Sequence, residues 1–310
     1  MSPSTVGMTA PFRWLRKALD VGRRNPKALF GAIALAILLV AAITLVQMFL
    51  QAMAQASMTG IMVVMALMTL VNWVLLPPVM GGLFRVVDAT DRGLPVVATD
   101  VFNAYGRGQG GKRLILTSLV YSLAYLGFAA LMLLTPLGQF FRDYFAIALA
   151  TPVGGEPDMA ALQALFSTTS PSTFLWLPVV AIVMFTWLHA SMLALATAAL
   201  REVDVATAVV AGALAALRNF LPLLGFMLVF LVAGFFAMLL VGLVLGLLLG
   251  LLAMASPVLV VLVMFPLMLL VMLGVYAMMF AFYYHAWREI FVPADEEPAP
   301  QEPAQGTLEV

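Results

Sequence analysis

Four long stretches of the chain contain no aspartate, glutamate, lysine or arginine: residues 28–84, 114–141, 159–200 and 219–287. A helix needs about 20 mostly apolar residues to cross the hydrocarbon core of a bilayer, and each stretch is long enough for at least one such helix. The whole chain is 64% apolar, whereas soluble domains contain roughly 45–50% apolar residues. The charge-free stretches therefore predict an all-α, polytopic membrane protein.

Prolines and polar clusters divide these stretches into six predicted spans. The last stretch is too long for one helix and divides at Ala255-Ser256-Pro257. The spans cover about 27–50, 59–84, 114–134, 174–200, 222–252 and 258–284. Pro77, Pro78 and Pro266 lie inside spans, where they predict kinked helices.

The spans define one predicted membrane domain with a short extension at either side. The domain covers residues 11–291, and residues 1–10 form a flexible N-terminus. Residues 292–310 contain four prolines and five acidic residues with little apolar content, a composition typical of disorder. This tail could bind a partner, although a solvated tail is the simpler interpretation.

The positive charges predict an orientation. Fourteen of the fifteen lysines and arginines lie on the side that carries both termini, and only Arg142 lies on the other side. Because basic residues flanking spans are retained in the cytoplasm, we expect a multi-pass protein of the bacterial inner (plasma) membrane with cytoplasmic termini. The outer segment 135–173 contains a predicted short helix, Asp158–Phe166, which Asp158 could cap.

A cytoplasmic segment precedes each outward span, and the three segments are Pro11–Arg24, Val96–Arg107 and Asp204–Leu217. The first has Phe12, Leu15 and Leu19 on one helical face and basic residues on the other, which is typical of a helix lying in the membrane interface.

The starts of spans one and five match each other. With Arg24 aligned on Arg218, Asn25 meets Asn219 and Leu29 meets Leu223. Together with the three cytoplasmic segments, this match predicts three hairpins in one orientation, each preceded by an interfacial helix. The alternative is that each cytoplasmic helix end recruits arginine to the headgroups independently.

Three short motifs resemble a known group of proteins: Arg24-Asn25-Pro26, Asp91-Arg92-Gly93-Leu94-Pro95 and Arg218-Asn219. Over about residues 11–291 the layout resembles uncharacterised proteobacterial six-helix inner-membrane proteins. That group is similar to YciC-type proteins and to the membrane domain attached to some glycerophosphodiesterases. The resemblance implies the layout alone, because members share no agreed activity and the phosphodiesterase active site belongs to a separate soluble domain.

Polar residues inside spans are candidate functional residues, and the candidates here are His189, Asn72, Gln47, Gln51 and Gln55. His189 is interpreted as a neutral histidine bonded to a facing carbonyl or hydroxyl; the alternative is a proton shuttle. Asn72 lies at a similar depth and could bond it. The three glutamines recur every four residues and share a helical face, which either bonds neighbouring helices or lines a vestibule. His285, the other histidine, is expected in an aromatic belt at headgroup level.

Basic residues at the cytoplasmic ends of the spans are candidate ligands for lipid headgroups. They are Arg23, Arg24, Arg107, Lys112, Arg113 and Arg218. The glycine-rich sequence 106–113 lacks the spacing of a phosphate-binding P-loop, so it is interpreted as a flexible hinge with basic anchors.

Span five carries a stripe of glycines on one helical face, formed by Gly234, Gly242, Gly246 and Gly250. Small residues allow close helix packing in membranes, so the stripe predicts packing against another span of the same chain. Self-association into a homo-oligomer is the alternative.

Composition restricts the chemistry. The chain has no cysteine and zero net charge, and its two histidines lie far apart, so we expect no metal, no cofactor and no nucleic-acid partner. No acid–base cluster or nucleophile motif indicates an enzyme. The first interpretation is therefore a non-enzymatic membrane protein with a structural or lipid-associated role and membrane lipids as partners; the alternative is a transporter or channel for an uncharged or amphiphilic solute.

Three structural features would separate the functional hypotheses. A lipid-filled lateral groove beside Lys112 and Arg113 would favour the lipid-associated role. A midplane cavity lined by Asn72 and His189 would favour transport. Carboxylates that meet at the cytoplasmic surface would favour an enzyme, and the candidates are Asp88, Asp91 and Asp204.

Overall fold

The computed structural model describes residues 2–54, 57–150 and 158–292, and these ranges form helices without a β-strand. The α-helices are α1 (Ala10–Arg24), α2 (Pro26–Ala54), α3 (Met58–Asp91), α4 (Gly111–Met132), α5 (Pro136–Ala150), α6 (Met159–Thr168), α7 (Trp176–Leu200), α8 (Val205–Arg218), α9 (Phe220–Ala255) and α10 (Pro257–Phe291). Two 3₁₀-helices, η1 (Ala98–Tyr105) and η2 (Pro171–Leu175), complete the set.

Six helical segments of the described chain are long and apolar enough to cross a membrane. They are Pro26–Ala54, Thr59–Asp91, Gly111–Met132, Pro171–Leu200, Phe220–Leu248 and Leu262–Phe291. Each coincides with one predicted span, so the prediction of an all-α, polytopic membrane protein is confirmed at this level. Gln55 and the tail from residue 293 onward lie outside the described residues.

Two spans extend beyond their predicted ends. Helix α3 continues to Asp91 and α10 continues to Phe291, although charged residues end the apolar pattern near 84 and 287. Both helices remain continuous through their internal prolines. The sequence interpretation also missed α5, which begins after Thr135; the hydroxyl of Thr135 accepts a hydrogen bond from the Gly138 amide (3.2 Å).

Short polar residues cap the helix starts, as their side-chain chemistry predicts. Ser57, Asp158, Asp204 and Ser256 each accept a backbone N–H bond in the first turn of the following helix. The Asp158 bond, 2.9 Å to the Ala161 amide, confirms the cap predicted for the outer helix.

Packing joins the long helices in pairs and places a short helix against each pair. Helix α2 contacts α3, α4 contacts α7, and α9 contacts α10. The short helix α1 packs mainly on α10, η1 packs on α2 and α3, and α8 packs mainly on α7. The buried core lies where these short helices pack on the long ones. The halves of α3, α9 and α10 that are distant from the short helices bury little surface.

Helix α1 has two apolar faces. One face packs into the core through Trp14, Ala18 and Val21, and the Trp14 indole donates to the Glu289 carboxylate at 2.8 Å. The other face carries Phe12 and Leu19, which are 61% and 59% exposed. The sequence analysis identified the outer face and missed the buried one.

Close backbone contact fixes α8 against α7. A Cβ on Gly212 would lie 2.6 Å from both the Ala194 Cβ and the Ala194 amide nitrogen. Real Cβ atoms do not approach other heavy atoms that closely, so only glycine permits this distance between the two helices.

Candidate functional site

An open groove lies between two connections at the end of the molecule that carries the short helices. Its walls come from the loop between η1 and α4, the first turns of α4, the segment between α7 and α8, and Pro78 of α3. The groove has a volume of about 840 Å³, within the range of roughly 300–1,000 Å³ that is typical of ligand sites.

Basic side chains line one wall of the groove. Arg107 and Lys112 are exposed and Arg113 is half-buried. Arg113 Nε donates to the Ala198 carbonyl at 3.0 Å, and the neighbouring Arg85 Nε donates to the Ala199 carbonyl at 3.0 Å. Both guanidinium groups therefore bind the C-terminal end of α7, where unpaired carbonyls favour cations.

The two guanidinium groups approach one point beside Gly110. A Cβ on Gly110 would lie 3.2 Å from Arg113 Nη2 and 3.4 Å from Arg85 Nη2. Within the described residues, no ion pair joins a carboxylate to Arg85, Arg107, Lys112 or Arg113. The wall is consequently a concentration of positive charge that no carboxylate of the described residues neutralises through an ion pair.

The opposite wall carries two carboxylates, Glu202 and Asp204. Asp204 accepts the Thr207 amide at 2.8 Å and the Thr207 hydroxyl at 2.7 Å. These hydrogen bonds, the backbone bond first, hold the pKa of Asp204 below its ordinary value because they favour the carboxylate. Asp204 therefore stays charged at neutral pH while it caps α8.

An apolar surface continues the groove along α3 and α4. Pro78, Ile115 and Leu116 form this part of the lining, and Leu116 is 37% exposed. Tyr105 closes one edge; its hydroxyl donates to the Leu75 carbonyl, and burial raises its pKa, which keeps the phenol neutral. The groove therefore has a charged end and an apolar end.

The predicted headgroup ligands separate into two groups. Arg107, Lys112 and Arg113 meet in the groove. The other three make protein contacts: Arg23 pairs with Asp20 at 3.1 Å, Arg24 donates to the Asp91 carbonyl, and Arg218 donates to the Pro3 carbonyl at 3.0 Å.

The predicted intramembrane polar residues do not form one site. His189 is 2% exposed, and its Nδ1 lies 2.9 Å from the Tyr283 hydroxyl. This hydroxyl partner agrees with the interpretation of His189 as a structural histidine. No hydrogen bond joins Asn72 to His189 in the described chain, and Gln47 and Gln51 are partly exposed.

A polar cluster that the sequence analysis missed lies where α3 and α10 meet. The Tyr284 hydroxyl donates to Asp88 at 2.9 Å and lies 3.3 Å from Asp91. Asp91 also binds Arg288 at 2.9 Å. His285 belongs to this cluster, with Nε2 4.0 Å from an Asp91 oxygen and only 4% exposure. The aromatic-belt position predicted for His285 is therefore wrong, because α1 and α3 cover it.

The glycine stripe of α9 is open. At Gly234, Gly242, Gly246 and Gly250 an added Cβ would meet no described atom within 4 Å. The described residues therefore do not make the internal packing that was predicted for the stripe, and self-association stays a prediction.

These features define the chain as a polytopic integral membrane protein with a charged groove at one end. Comparison with models of protein families gives no match, and comparisons with curated proteins and with solved structures also give none.

Proposed function

We propose that the chain is a non-enzymatic protein of the bacterial inner membrane with a structural or lipid-associated role. In this proposal three hairpins share one orientation, both termini are cytoplasmic, and the short helices lie in the cytoplasmic interface of the bilayer. One observation supports the proposal most strongly. The short helices expose an apolar face, and they lie at the level of the charged ends of the long helices.

The exposed apolar residues of α1 and α8 support this placement. Phe12 and Leu19 of α1 point away from the core. On α8, Val210 and Leu217 are 55% and 61% exposed, whereas the opposite face packs on α7. Helices with an apolar face and nearby basic residues bind at the boundary between headgroups and acyl chains, where these side chains would leave water.

The order of packing supports the three-hairpin arrangement. Helices η1 and α8 each pack on the hairpin that comes before them in the sequence: η1 on the first hairpin and α8 on the middle one. Helix α1, which has no hairpin before it, packs on the last hairpin. The same contact between a short helix and a hairpin therefore occurs three times, as expected for three related units.

The polar contacts favour a non-enzymatic role. Asp88 and Asp91 meet at the Tyr284 hydroxyl, but Arg288 also binds Asp91 and Arg92 lies 3.5 Å from Asp88. Asp204 lies apart from them in the groove. Carboxylates that are held by arginine and tyrosine stabilise the junction of helices and are poor general bases. The resemblance to YciC-type proteins is part of the same proposal.

The absence of cysteine from the chain makes the interface placement directly testable. Spin labels on Phe12→Cys and Leu217→Cys, with Lys17→Cys and Asp20→Cys as controls on the polar side of α1, are measured in lipid bilayers. We expect oxygen to broaden the Phe12 and Leu217 labels more than a water-soluble nickel complex does, and the reverse at both controls. Equal nickel accessibility at all four positions would refute the placement.

Orientation needs a separate measurement. Fourteen of the fifteen basic residues lie on the proposed cytoplasmic side, so a reporter fused at Val310 should read cytoplasmic and one near Gly155 periplasmic. A cytoplasmic signal at Gly155 would contradict the six-span topology.

A further inference from the structure

The start of each hairpin shows the same backbone arrangement around one buried leucine. The amide of Leu29 donates to the Asn25 carbonyl at 3.2 Å, that of Leu223 to Asn219 at 3.0 Å, and that of Leu114 to Gly110 at 3.1 Å. All three leucines are at most 1% exposed. Gly110 therefore occupies in the middle hairpin the position of an asparagine in the other two.

In the first and last hairpins this asparagine closes a junction. Asn25 Nδ2 donates to the Val96 carbonyl at 3.2 Å, in the irregular segment before η1. Asn219 Nδ2 donates to the Ser4 carbonyl at 3.0 Å, in the irregular segment before α1. The preceding arginines also bind carbonyls: Arg24 binds that of Asp91, the last residue of α3, and Arg218 binds that of Pro3 in the segment before α1.

The middle hairpin has no such clamp. Gly110 has no side chain and adopts a positive φ of 80°, and the corresponding segment, 202–204, lies across the groove. The middle unit therefore lacks the asparagine bond of the other two, although Arg113 binds the Ala198 carbonyl at the end of α7 at 3.0 Å. Within the described residues, Arg107, Lys112 and Arg113 beside the opening form no ion pair with a carboxylate.

We infer that this groove binds one phospholipid whose headgroup carries both a phosphate and an ammonium group. The phosphate lies against Arg107, Lys112 and Arg113, where charge-assisted bonds replace the missing protein counterion. The ammonium group lies toward Glu202 on the opposite wall. The acyl chains leave along Pro78, Ile115 and Leu116. This inference rests on the lipid-associated role proposed above and assigns its ligand.

Two observations favour this ligand over others. The charged end continues into an apolar wall formed by two span helices, which suits an amphiphile better than free phosphate. The groove also presents both signs of charge, and complementary charge selects between partners. A purely anionic headgroup would leave Glu202 facing a like charge, so a headgroup with an ammonium group is the better fit.

The binding experiment uses delipidated protein in detergent, short-chain phosphatidylethanolamine and native mass spectrometry. We expect one bound lipid per chain. The double variant Arg107→Gln/Lys112→Gln should weaken binding at least about tenfold, because each lost charged contact alone is worth roughly that factor. The matched control is Arg16→Gln/Lys27→Gln, which removes the same charge from exposed positions of α1 and α2 outside the groove and should bind like the unmodified chain. Equal affinity for both double variants would overturn the site.

The headgroup assignment has its own test. Glu202→Gln should reduce the preference for phosphatidylethanolamine over phosphatidylglycerol while leaving the phosphate contacts in place. Equal or tighter binding of phosphatidylglycerol by the unmodified chain would overturn the ammonium assignment, and displacement of the lipid by inorganic phosphate would overturn the choice of a lipid. The spin-label accessibilities at Phe12 and Leu217 do not depend on the groove, so failure of this inference is distinguishable from failure of the proposed function.

Discussion

Replacement of Asn219 by alanine should release the N-terminal segment from the body of the protein. Asn219 is fully buried. Its Oδ1 accepts the Val6 amide at 2.8 Å, and its Nδ2 donates to the carbonyls of Ser4 and Ala215, both at 3.0 Å. Two of these three bonds hold the segment before α1.

The magnitude follows from the number of bonds. Each hydrogen bond contributes about 1 kcal/mol to stability, and a buried group left without a partner costs more. Asn219→Ala should therefore lower the free energy of unfolding by about 3 kcal/mol. Because the entropy of unfolding is about 2.1 cal/mol/K per residue, that loss corresponds to a decrease in Tm of roughly 5 °C for a chain of this length.

Thermal unfolding in detergent measures the global effect, and limited proteolysis measures release of the N-terminal segment. Asn103→Ala is the matched control, because the Asn103 side chain is exposed and, among the described residues, bonds only the nearby Asp100 at 3.0 Å. The reasoning is refuted if Asn219→Ala and Asn103→Ala have the same Tm and the same protease resistance near residue 4.

Two further predictions concern glycine and pH. Gly212→Leu should destabilise the chain strongly, because α7 already contacts the backbone of this glycine. Gly246→Leu should leave the folded monomer intact, because no described atom lies within 4 Å of an added Cβ there. A loss of folded protein with Gly246→Leu, measured by size-exclusion chromatography, would contradict the open stripe. The Asp204 carboxylate stabilises α8 above the unfolded pKa of aspartate, and this contribution should disappear as pH falls through the lowered folded pKa. Asp204→Asn should remove that acid dependence and keep the cap, so an unchanged acid dependence of unfolding would refute the role of the carboxylate.

Hydropathy predicted the six spans well because the bilayer requires long apolar helices. Hydropathy did not predict where a span ends when charged residues of the helix are paired with residues of another helix. Helix α3 continues past residue 84 because Asp88 and Asp91 find Tyr284 and Arg288 on α10. A pattern based on apolar residues ends a span at such charges, since it contains no information about partners from a distant helix.

The site was predictable only in part. Composition identified Arg107, Lys112 and Arg113 as basic anchors, and the groove brings these three together. The role of Gly110 was missed, because alignment of the hairpin starts had matched only the first and last units. The signal was nonetheless present, since a leucine four residues after Asn25, Gly110 and Asn219 marks all three starts. The hydroxyl partner of His189 required the fold, because Tyr283 lies on another helix.

The attachment of the N-terminal segment has a consequence for biosynthesis. Ser4 bonds the carbonyl of Ile290 at 2.8 Å, and Trp14 docks on Phe282 and Glu289. These partners emerge from the ribosome long after residues 4–14 have been made, so α1 cannot reach its final position until α10 has been inserted. A chain that stops before α10 leaves the indole of Trp14 without these two partners. The exposed indole therefore distinguishes an incomplete chain from one that has α10, and the docking of α1 is a late step of assembly that follows the synthesis of α10.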